Sequence, residues 1–243
     1  MQRLRLRFGR GDEVKFISHL DVVRFWERAF RRAGIPLVYS QGFTPHPRIA
    51  LAAPLAVGVT SEAELMDVWL SRWMPPQSLM MRVKSQLFCG FEIFDAWEVG
   101  LNIPSLQSCL AFAEYRVVVK SGKSEQDVEA SLHSLLQARE LPWHHSRGDK
   151  MKLYDLRALI DDLWVIGHHP EPFATCHSEG EKRPKPDKSG NYKRLREGSI
   201  CILGMRLRCD AKGSGRPEQV VVALGFPQYP ESIHRTKLIL KGM

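Results

Sequence analysis

The chain has 243 residues, a formal net charge of +8 and 44% apolar residues, a composition typical of a globular protein with one large domain or two smaller ones. No apolar run approaches the roughly 20 residues that span a bilayer, and the first residues, MQRLRLRF, lack the apolar stretch of a signal peptide. The five cysteines match no disulfide framework or CxxC metal site, and there is no CxxxCxxC motif for an iron–sulfur cluster. We therefore expect a soluble, bacterial-type cytoplasmic protein with reduced thiols, no cofactor and no membrane partner.

The first half of the chain has the predicted element order β-α-β-β-α-β. The segment RLRLRF at residues 3–8 alternates arginine with apolar residues, which predicts a half-buried strand. Ser18 and Asp21 have the spacing of a capping box and precede a helical apolar stripe that Gly34 ends. This order is that of a ferredoxin-like split βαβ unit. The other predicted elements are an extended segment at 37–59, a strand at 64–70, a helix from Pro75 to Leu87 and a strand at 91–99.

The second half of the chain repeats this plan after a polar connector at residues 100–108. Ser124 begins another capping-box spacing, and Pro217 stands at the first position of a further helix. We therefore predict an α+β fold of two tandem ferredoxin-like (split βαβ) lobes, antiparallel sheets with helices on one face, divided into domains 1–105 and 106–243. The remaining predicted elements are strands at 114–119, 199–209 and 233–240, a helix at 217–224 and short extended pieces at 142–147 and 151–166.

A long basic loop is predicted to interrupt the second domain at residues 168–198, where proline, glycine and charged residues dominate. Residues 182–216 contain eleven lysines and arginines against three acidic residues, a local excess equal to the net charge of the whole chain. Clustered positive charge is typical of surfaces that bind nucleic acid. The alternative is a solvated loop that is basic for solubility.

Four potential metal ligands lie within ten residues at the start of this loop. Their spacing fits no standard zinc finger, and the surrounding composition is that of a loop. We therefore predict no metal site, and the candidate ligands, if a metal binds, are His168, His169, Cys176 and His177.

Five motifs follow one another in the first half of the chain: FISHLD, RAGIP, SQGFTPHP, PLAVGV and SEAE. In this order they resemble the bacterial radical-SAM-linked proteins, a family with a domain of unknown function, and the later segments KLYDLRALI and GRPEQVVVALG match less closely. Members of that family are encoded beside, or fused to, a radical SAM protein with a cobalamin-binding-like domain, often near a ribonuclease of the G/E type. The resemblance therefore implies a separate radical SAM enzyme as partner, and it implies no particular reaction for this chain.

The segment TPHP stiffens the backbone around one histidine, His46. Proline fixes its own φ and pushes the residue before it toward extended conformations, so this segment is nearly rigid and not helical. Gly42 permits a sharp turn or a close approach to a ligand, and Phe43 could stack on a base or fill the core. The alternative is a structural turn in which His46 is hydrogen-bonded. We predict that one side of a ligand groove is formed by Gln41, Gly42, Phe43, His46 and Arg48.

The start of the first predicted helix carries Ser18, His19 and Asp21, at a position where backbone amides and the helix dipole favour anions. In a ferredoxin-like fold, this helix start and the proline-rich segment can lie at the same end of the sheet. His19 and His46 would then face a common phosphate or act as an acid and a base. The alternative for Asp21 is a purely capping role.

Arg3, Arg5 and Arg7 project from one face of the first predicted strand. An open sheet face is where ferredoxin-like RNA-binding proteins hold nucleotides, but the aromatic residues of an RRM motif are missing here. Contacts to RNA phosphates without base readout are therefore expected of these arginines. The alternative is that the two lobes pack together and bury much of this face.

These features lead to three hypotheses of function. The first is a non-catalytic RNA-binding accessory protein that works with a partner radical SAM enzyme in tRNA or rRNA modification or processing. The second is a metal-independent RNA endonuclease that uses His19 and His46, by analogy with ferredoxin-like nucleases. The third is a protein-binding adaptor for the radical SAM partner that binds no nucleic acid. Because no nucleophile elbow, P-loop, Rossmann glycine motif or HExxH is present, we prefer the first hypothesis and name no reaction.

Overall fold

The computed structural model describes residues 1–147, 150–170 and 199–241. Its first half forms β1 (Gln2–Arg10), α1 (His19–Arg32), β2 (Ile49–Leu51), β3 (Thr60–Leu70), α2 (Pro76–Lys84) and β4 (Phe91–Glu98). These strands lie side by side in the order β4-β1-β3-β2, and each is antiparallel to its neighbours. The predicted element order of the first half is therefore confirmed.

The second half begins with a short helix and contains most of the strands. Its elements are α3 (Leu106–Cys109), β5 (Leu110–Ser121), α4 (Glu125–Gln137), β6 (Pro142–Arg147), β7 (Lys150–Asp155), β8 (Ile160–Pro170), β9 (Ser199–Asp210), β10 (Gly213–Ser214), α5 (Pro217–Ala223) and β11 (Ser232–Leu240). β6 and β7 form a separate two-stranded sheet. Among the described residues, no helix is long and apolar enough to cross a membrane.

All the other described strands belong to one nine-stranded sheet, not to two separate ones. Its main path is β10-β9-β5-β11-β3-β1-β4, with β2 paired to β3 and β8 paired to β9. The two halves join where β11 runs parallel to β3, with His234 opposite Thr60 and Arg235 opposite Ser61. The fold is thus α+β with a large, mostly antiparallel sheet, and the α+β class predicted from the sequence is confirmed.

Helix α1 begins as its sequence predicts and buries an aromatic face. The side chain of Ser18 accepts a hydrogen bond from the Asp21 amide, and the helix is followed by Gly34 in a left-handed conformation with φ of +65°. Its apolar stripe packs on β1 and β3 in a core cluster whose members all lie between Leu4 and Ala96. A second cluster holds the core of the other half together with residues 52–65 of the first. The buried stripe of α1 consists of Val22, Phe25, Trp26, Ala29 and Phe30.

The opposite face of β1 is covered at Arg3 and Arg5, which corrects the prediction that these two arginines meet RNA. Arg3 is 2% exposed and Arg5 is 1% exposed, and the Nε atoms of both donate to the buried carboxylate of Asp67, at 3.0 and 2.7 Å respectively. The connector after β4 crosses this face, and the carbonyls of Ile103 and Pro104 accept from Arg3 at 2.6 and 2.9 Å. The guanidinium groups of Arg3 and Arg5 are therefore hydrogen-bonded within the protein and are not available to RNA.

The third arginine of that strand differs from the other two. Arg7 is exposed, and its guanidinium lies 5.2 Å from the ring centroid of Phe94 on β4. Arg7 alone of the three thus remains accessible to a ligand.

The predicted basic loop falls largely outside the described residues, and so do Cys176 and His177. Residues 168–170 belong to β8 and pair with the start of β9, so the interruption begins later than predicted. The Nε2 atom of His168 lies 3.1 Å from the Ser199 hydroxyl and 3.2 Å from a backbone carbonyl. In the part of the chain that the structure describes, no group of three or more potential ligands comes together around a metal position.

Candidate nucleic-acid interface

The proline-rich segment forms a closed, exposed loop at residues 40–46. Tyr39 and Pro47 make an isolated antiparallel bridge, the Ser40 amide donates to the His46 carbonyl at 2.9 Å, and the His46 amide donates to the Ser40 hydroxyl at 3.0 Å. Because Pro45 and Pro47 have no N–H, the amide of His46 is the one backbone donor in residues 45–47, and its hydrogen bond to Ser40 closes the loop. Pro45 restricts the backbone of Thr44 and Pro47 restricts that of His46, so this side of the loop has little conformational freedom before a ligand binds.

The structure brings together the five residues predicted around this bend, but on a projecting loop instead of one side of a groove. Gln41 and His46 are exposed, and Phe43 at the tip is fully exposed, with a relative accessibility of 111%. Gly42 has a φ of +130°, a conformation that other residues rarely adopt. A free benzyl side chain held on a rigid loop is available for stacking or for apolar contact.

The base of the loop is anchored on the last residues of β3. The Arg48 amide donates to the Val38 carbonyl at 2.7 Å, and the Trp69 amide donates to the Arg48 carbonyl at 3.2 Å. The Arg48 guanidinium lies 4.4 Å from the centroid of the Trp69 ring while remaining exposed to solvent. This stacking leaves the N–H groups at the guanidinium edge free to contact a phosphate.

The chain around this loop contains no carboxylate over two long stretches. No aspartate or glutamate occurs in residues 28–61 or in residues 68–91. The two stretches meet where the Ser71 amide donates to the Pro36 carbonyl at 2.8 Å and where Leu37 bridges to Leu70. The exposed side chains that these two stretches contribute are therefore cationic, aromatic or neutral, and the exposed carboxylate beside them, that of Glu98, accepts a hydrogen bond from the Gln2 amide at 3.1 Å. We call them the arginine–aromatic surface, which consists of Arg31, Arg48, Arg72, Tyr39, Phe43 and Trp73.

Sequence reasoning missed four members of this surface: Arg31, Tyr39, Arg72 and Trp73. Trp73 is 68% exposed, which is unusual for so large an apolar side chain. The absence of acidic residues between positions 68 and 91 was the available signal, because it is visible in the sequence alone. Its link to the proline-rich loop depends on the pairing of residues far apart in the chain.

The structure does not bring His19 beside His46. His19 lines a small cavity with Leu51 and Glu64, near the start of α1. Residues 49–51 pair with β3, and five residues at about 3.3 Å each separate His46 from Leu51 by up to roughly 16 Å. Strand β2 thus carries the chain away from the loop and toward the start of α1.

The other two residues predicted at the helix start are engaged with each other. The Ser18 hydroxyl donates to the Asp21 carboxylate at 2.7 Å and accepts from the Asp21 amide at 3.2 Å. This reciprocal cap satisfies groups that a bound anion would otherwise use, and it places a carboxylate where the anion would sit. The structure therefore gives Ser18 and Asp21 the capping role.

A buried ionic cluster joins the start of α1 to the last strand. Arg235 is 3% exposed, and its Nη1 donates to the Glu64 carboxylate at 3.0 Å. Burial alone would lower the pKa of Arg235, but the adjacent Glu64 carboxylate raises it above its ordinary value. Arg10 lies beside the same carboxylate and donates to the carbonyls of Val14 and Ile17, and burial lowers its pKa. The sequence feature that could have indicated this cluster is Glu64, a charged residue among the apolar residues of β3.

Comparisons with known proteins cover most of the chain. Residues 3–184 match a family described as an uncharacterized protein conserved in bacteria, DUF2344. No curated protein matches the chain. Three solved structures are similar to 97% of it: a Cbf5–Nop10–Gar1 complex (8% identity, TM-score 0.46, 48% of that chain), the archaeal box H/ACA sRNP Nop10–Cbf5 complex (9%, 0.40, 48%) and an H/ACA RNP bound to a substrate RNA containing 2′-deoxyuridine (8%, 0.40, 47%).

The chain spans about half the length of the chains it matches in those solved structures. The family match, in contrast, covers most of this chain, because it runs through both halves of the sheet, from β1 to beyond β8. The chain belongs to the DUF2344 family of uncharacterized proteins conserved in bacteria.

Proposed function

We propose that the protein is a non-catalytic RNA-binding accessory protein and that the arginine–aromatic surface contacts the RNA. Single-stranded RNA is bound by aromatic rings that stack on bases beside cations that contact phosphates. Phe43, Tyr39 and Trp73 supply exposed rings, and Arg48 and Arg72 supply exposed guanidinium groups. The chain as a whole carries a net charge of +8, which favours association with a polyanion.

The observation that carries this proposal is the exposure of Phe43 on a loop that is already closed. A fully exposed ring contributes no burial to the core, and on a closed loop it is held in a position where it can stack on a base. The Ser40–His46 hydrogen bonds and the two prolines fix the loop before binding, which reduces the conformational entropy that a stacked base would cost.

We further propose that the protein acts in the cytoplasm with a radical SAM enzyme, in tRNA or rRNA modification or processing. The resemblance of the five N-terminal motifs to radical-SAM-linked proteins supports this partnership. We also propose two tandem ferredoxin-like lobes, 1–105 and 106–243. The strand order β4-β1-β3-β2, with α1 and α2 packed against β1, β3 and β4 in one core cluster, supports that description of the first lobe.

The test is fluorescence anisotropy with a labelled oligouridine of about 12 nucleotides, a length within the site sizes of single-strand-binding proteins. Phe43→Ala is expected to weaken binding by roughly five- to hundredfold, the usual cost of losing one stacked base. Arg72→Gln is expected to reduce the slope of log K against log salt by about one. Matched controls in the second half are Tyr229→Ala and Arg139→Gln, which alter an exposed aromatic residue and an exposed arginine.

Equal affinity of Phe43→Ala and the unaltered protein would contradict the proposed surface. Binding that ignores ionic strength would contradict a role for phosphate contacts. If the protein binds no RNA but co-purifies with a radical SAM enzyme, the adaptor hypothesis replaces this one. The endonuclease hypothesis is less well supported, because His46 lies in the loop of residues 40–46 and His19 lines a cavity beside Leu51.

A further inference from the structure

A cavity of about 350 Å³ lies where β3 meets β11, between the loop of residues 54–59 and the segment of residues 214–218. The first of these is the PLAVGV motif, and the second contains the start of the GRPEQVVVALG segment. The cavity is separate from the arginine–aromatic surface, which lies at the other end of β3, about 30 Å away at roughly 3.3 Å per residue. Two motifs from distant parts of the chain thus meet at a second, unassigned site.

Arg235 lines this cavity with one N–H group that has no partner. Its Nη1 donates to Glu64, its Nη2 donates to the Pro54 carbonyl at 3.1 Å, and its Nε has no acceptor. The side chain is 97% buried, so bulk water does not satisfy this donor freely. The Nε atom itself has no accessible surface, so a ligand in the cavity would meet the positive charge of Arg235 and would not bond to this N–H group.

A second guanidinium stands at the same cavity. Arg216 is exposed, and its side chain makes no hydrogen bond or ion pair within the described ranges of the chain. Glu218 also lines the cavity, and Glu64 pairs with Arg235 behind it. The charged side chains that line the cavity are therefore two arginines and one glutamate, which leaves a net positive charge for a ligand to neutralise.

Much of the remaining cavity wall is apolar, and at one position the packing of the backbone leaves no room for a side chain. Leu55, Val59 and the ring of Tyr115 face the cavity, and the Arg235 Cζ lies 5.6 Å from the centroid of that ring. Gly215 cannot carry a side chain without displacement, because a Cβ there would lie 2.9 Å from the Leu159 carbonyl oxygen. The cavity thus combines a cationic end with an apolar wall, as sites for small charged ligands do.

We propose that this cavity binds the phosphate group of a nucleotide-sized ligand. The Arg216 guanidinium would donate to the phosphate, the positive charge of Arg235 beside it would attract the same group, and two arginines favour a doubly charged group over a single carboxylate. The apolar wall would cover the uncharged part of the ligand.

Isothermal titration calorimetry of the full chain with sodium phosphate, AMP, adenosine and sodium acetate tests this site. We expect AMP to bind more tightly than phosphate, and adenosine and acetate to bind at least about tenfold more weakly than AMP. Arg216→Gln is expected to weaken AMP binding by about ten- to hundredfold, the range for one charge-assisted hydrogen bond. Arg139→Gln, at an exposed arginine outside the cavity, is expected to leave it unchanged.

Arg216 is exposed, so its replacement does not threaten folding, whereas Arg235→Gln also requires circular dichroism to confirm that the chain is folded. Equal binding of AMP and adenosine, of phosphate and acetate, or of AMP to the Arg216→Gln and unaltered proteins would overturn the proposal. Binding of an oligouridine with a 5′-phosphate, reduced by Arg216→Gln while AMP gives no heat, would identify the end of an RNA chain as the source of the phosphate.

Discussion

At the scale of single side chains, His234 lies at the junction between the two halves of the sheet, where its protonation makes stability depend on pH. Its Nδ1 lies 2.8 Å from the Thr60 hydroxyl and its Nε2 lies 3.9 Å from the Glu62 carboxylate. Burial lowers the pKa of His234, the nearby Arg116 acts in the same direction, and Glu62 and Asp12 oppose this only in part. The folded protein therefore prefers the neutral imidazole.

This depressed pKa makes folding stability depend on pH. Below the ordinary value of 6.5, the unfolded chain binds a proton that the folded chain still excludes, so stability is present above that pH and is lost as the pH falls toward the lower folded value. We expect the urea concentration at the unfolding midpoint to be lower at about pH 5.5 than at about pH 7.5, and we expect His234→Gln to reduce this difference. His133→Gln, at an exposed position on α4, is the control, and an equal reduction in both variants would contradict the assignment.

The buried arginines show what residue patterns in a sequence do not determine. Strict alternation in RLRLRF predicted correctly that Leu4 and Leu6 face the helices. The same alternation fits an arginine in water and an arginine covered by another segment, so it did not distinguish Arg3 and Arg5 from Arg7. Two carbonyls of the covering connector, about one hundred residues away in sequence, accept hydrogen bonds from Arg3, and no local pattern predicts that contact.

Among the elements, β8 and β9 are held together by close packing of an indole on a glycine. Trp164 is paired directly with Gly204, and a Cβ at position 204 would meet the indole at a distance too short for any side chain. Gly204→Ala must therefore displace Trp164, and we expect it to lower the free energy of unfolding by about 1–3 kcal/mol, as overpacking usually does. Urea denaturation measures this change.

Gly122→Ala is the matched control for this substitution. A Cβ at Gly122 would have no atom within 4 Å apart from its chain neighbours, and the φ of Gly122 is not positive. We expect its unfolding free energy to change by no more than about 0.5 kcal/mol. A loss in Gly204→Ala no greater than in this control would show that Trp164 does not pack as the structure has it.

Elements with their own end signals could be predicted from the sequence, and edge strands could not. The capping residues around Ser18 placed the start of α1, and Pro217 placed the start of α5. The extended segment predicted at 37–59 became only the short strand β2, because β11 occupies another part of the same β3 edge. That competition between a local and a distant strand depends on tertiary pairing.

For the molecule as a whole, the last strand of the chain lies at the centre of the sheet. β11 is antiparallel to β5 on one side and parallel to β3 on the other, and it carries Arg235 into contact with Glu64 of the first half. The first half nevertheless holds a core cluster made only of its own residues. The stability of the first half alone and the stabilisation that it gains from the second half can therefore be measured separately.

We expect residues 1–105 alone to unfold cooperatively in urea, because their core cluster is complete without the second half. Glu64→Gln should cost about 3–5 kcal/mol in the full chain, where it leaves the buried Arg235 without its carboxylate, and less than about 1 kcal/mol in the fragment, where Arg235 is missing. Glu92→Gln, exposed on β4, should change neither protein by more than about 0.5 kcal/mol. A fragment without a cooperative transition would contradict the division at residue 105. An equal cost of Glu64→Gln in both proteins would show instead that the ion pair does not couple the two halves.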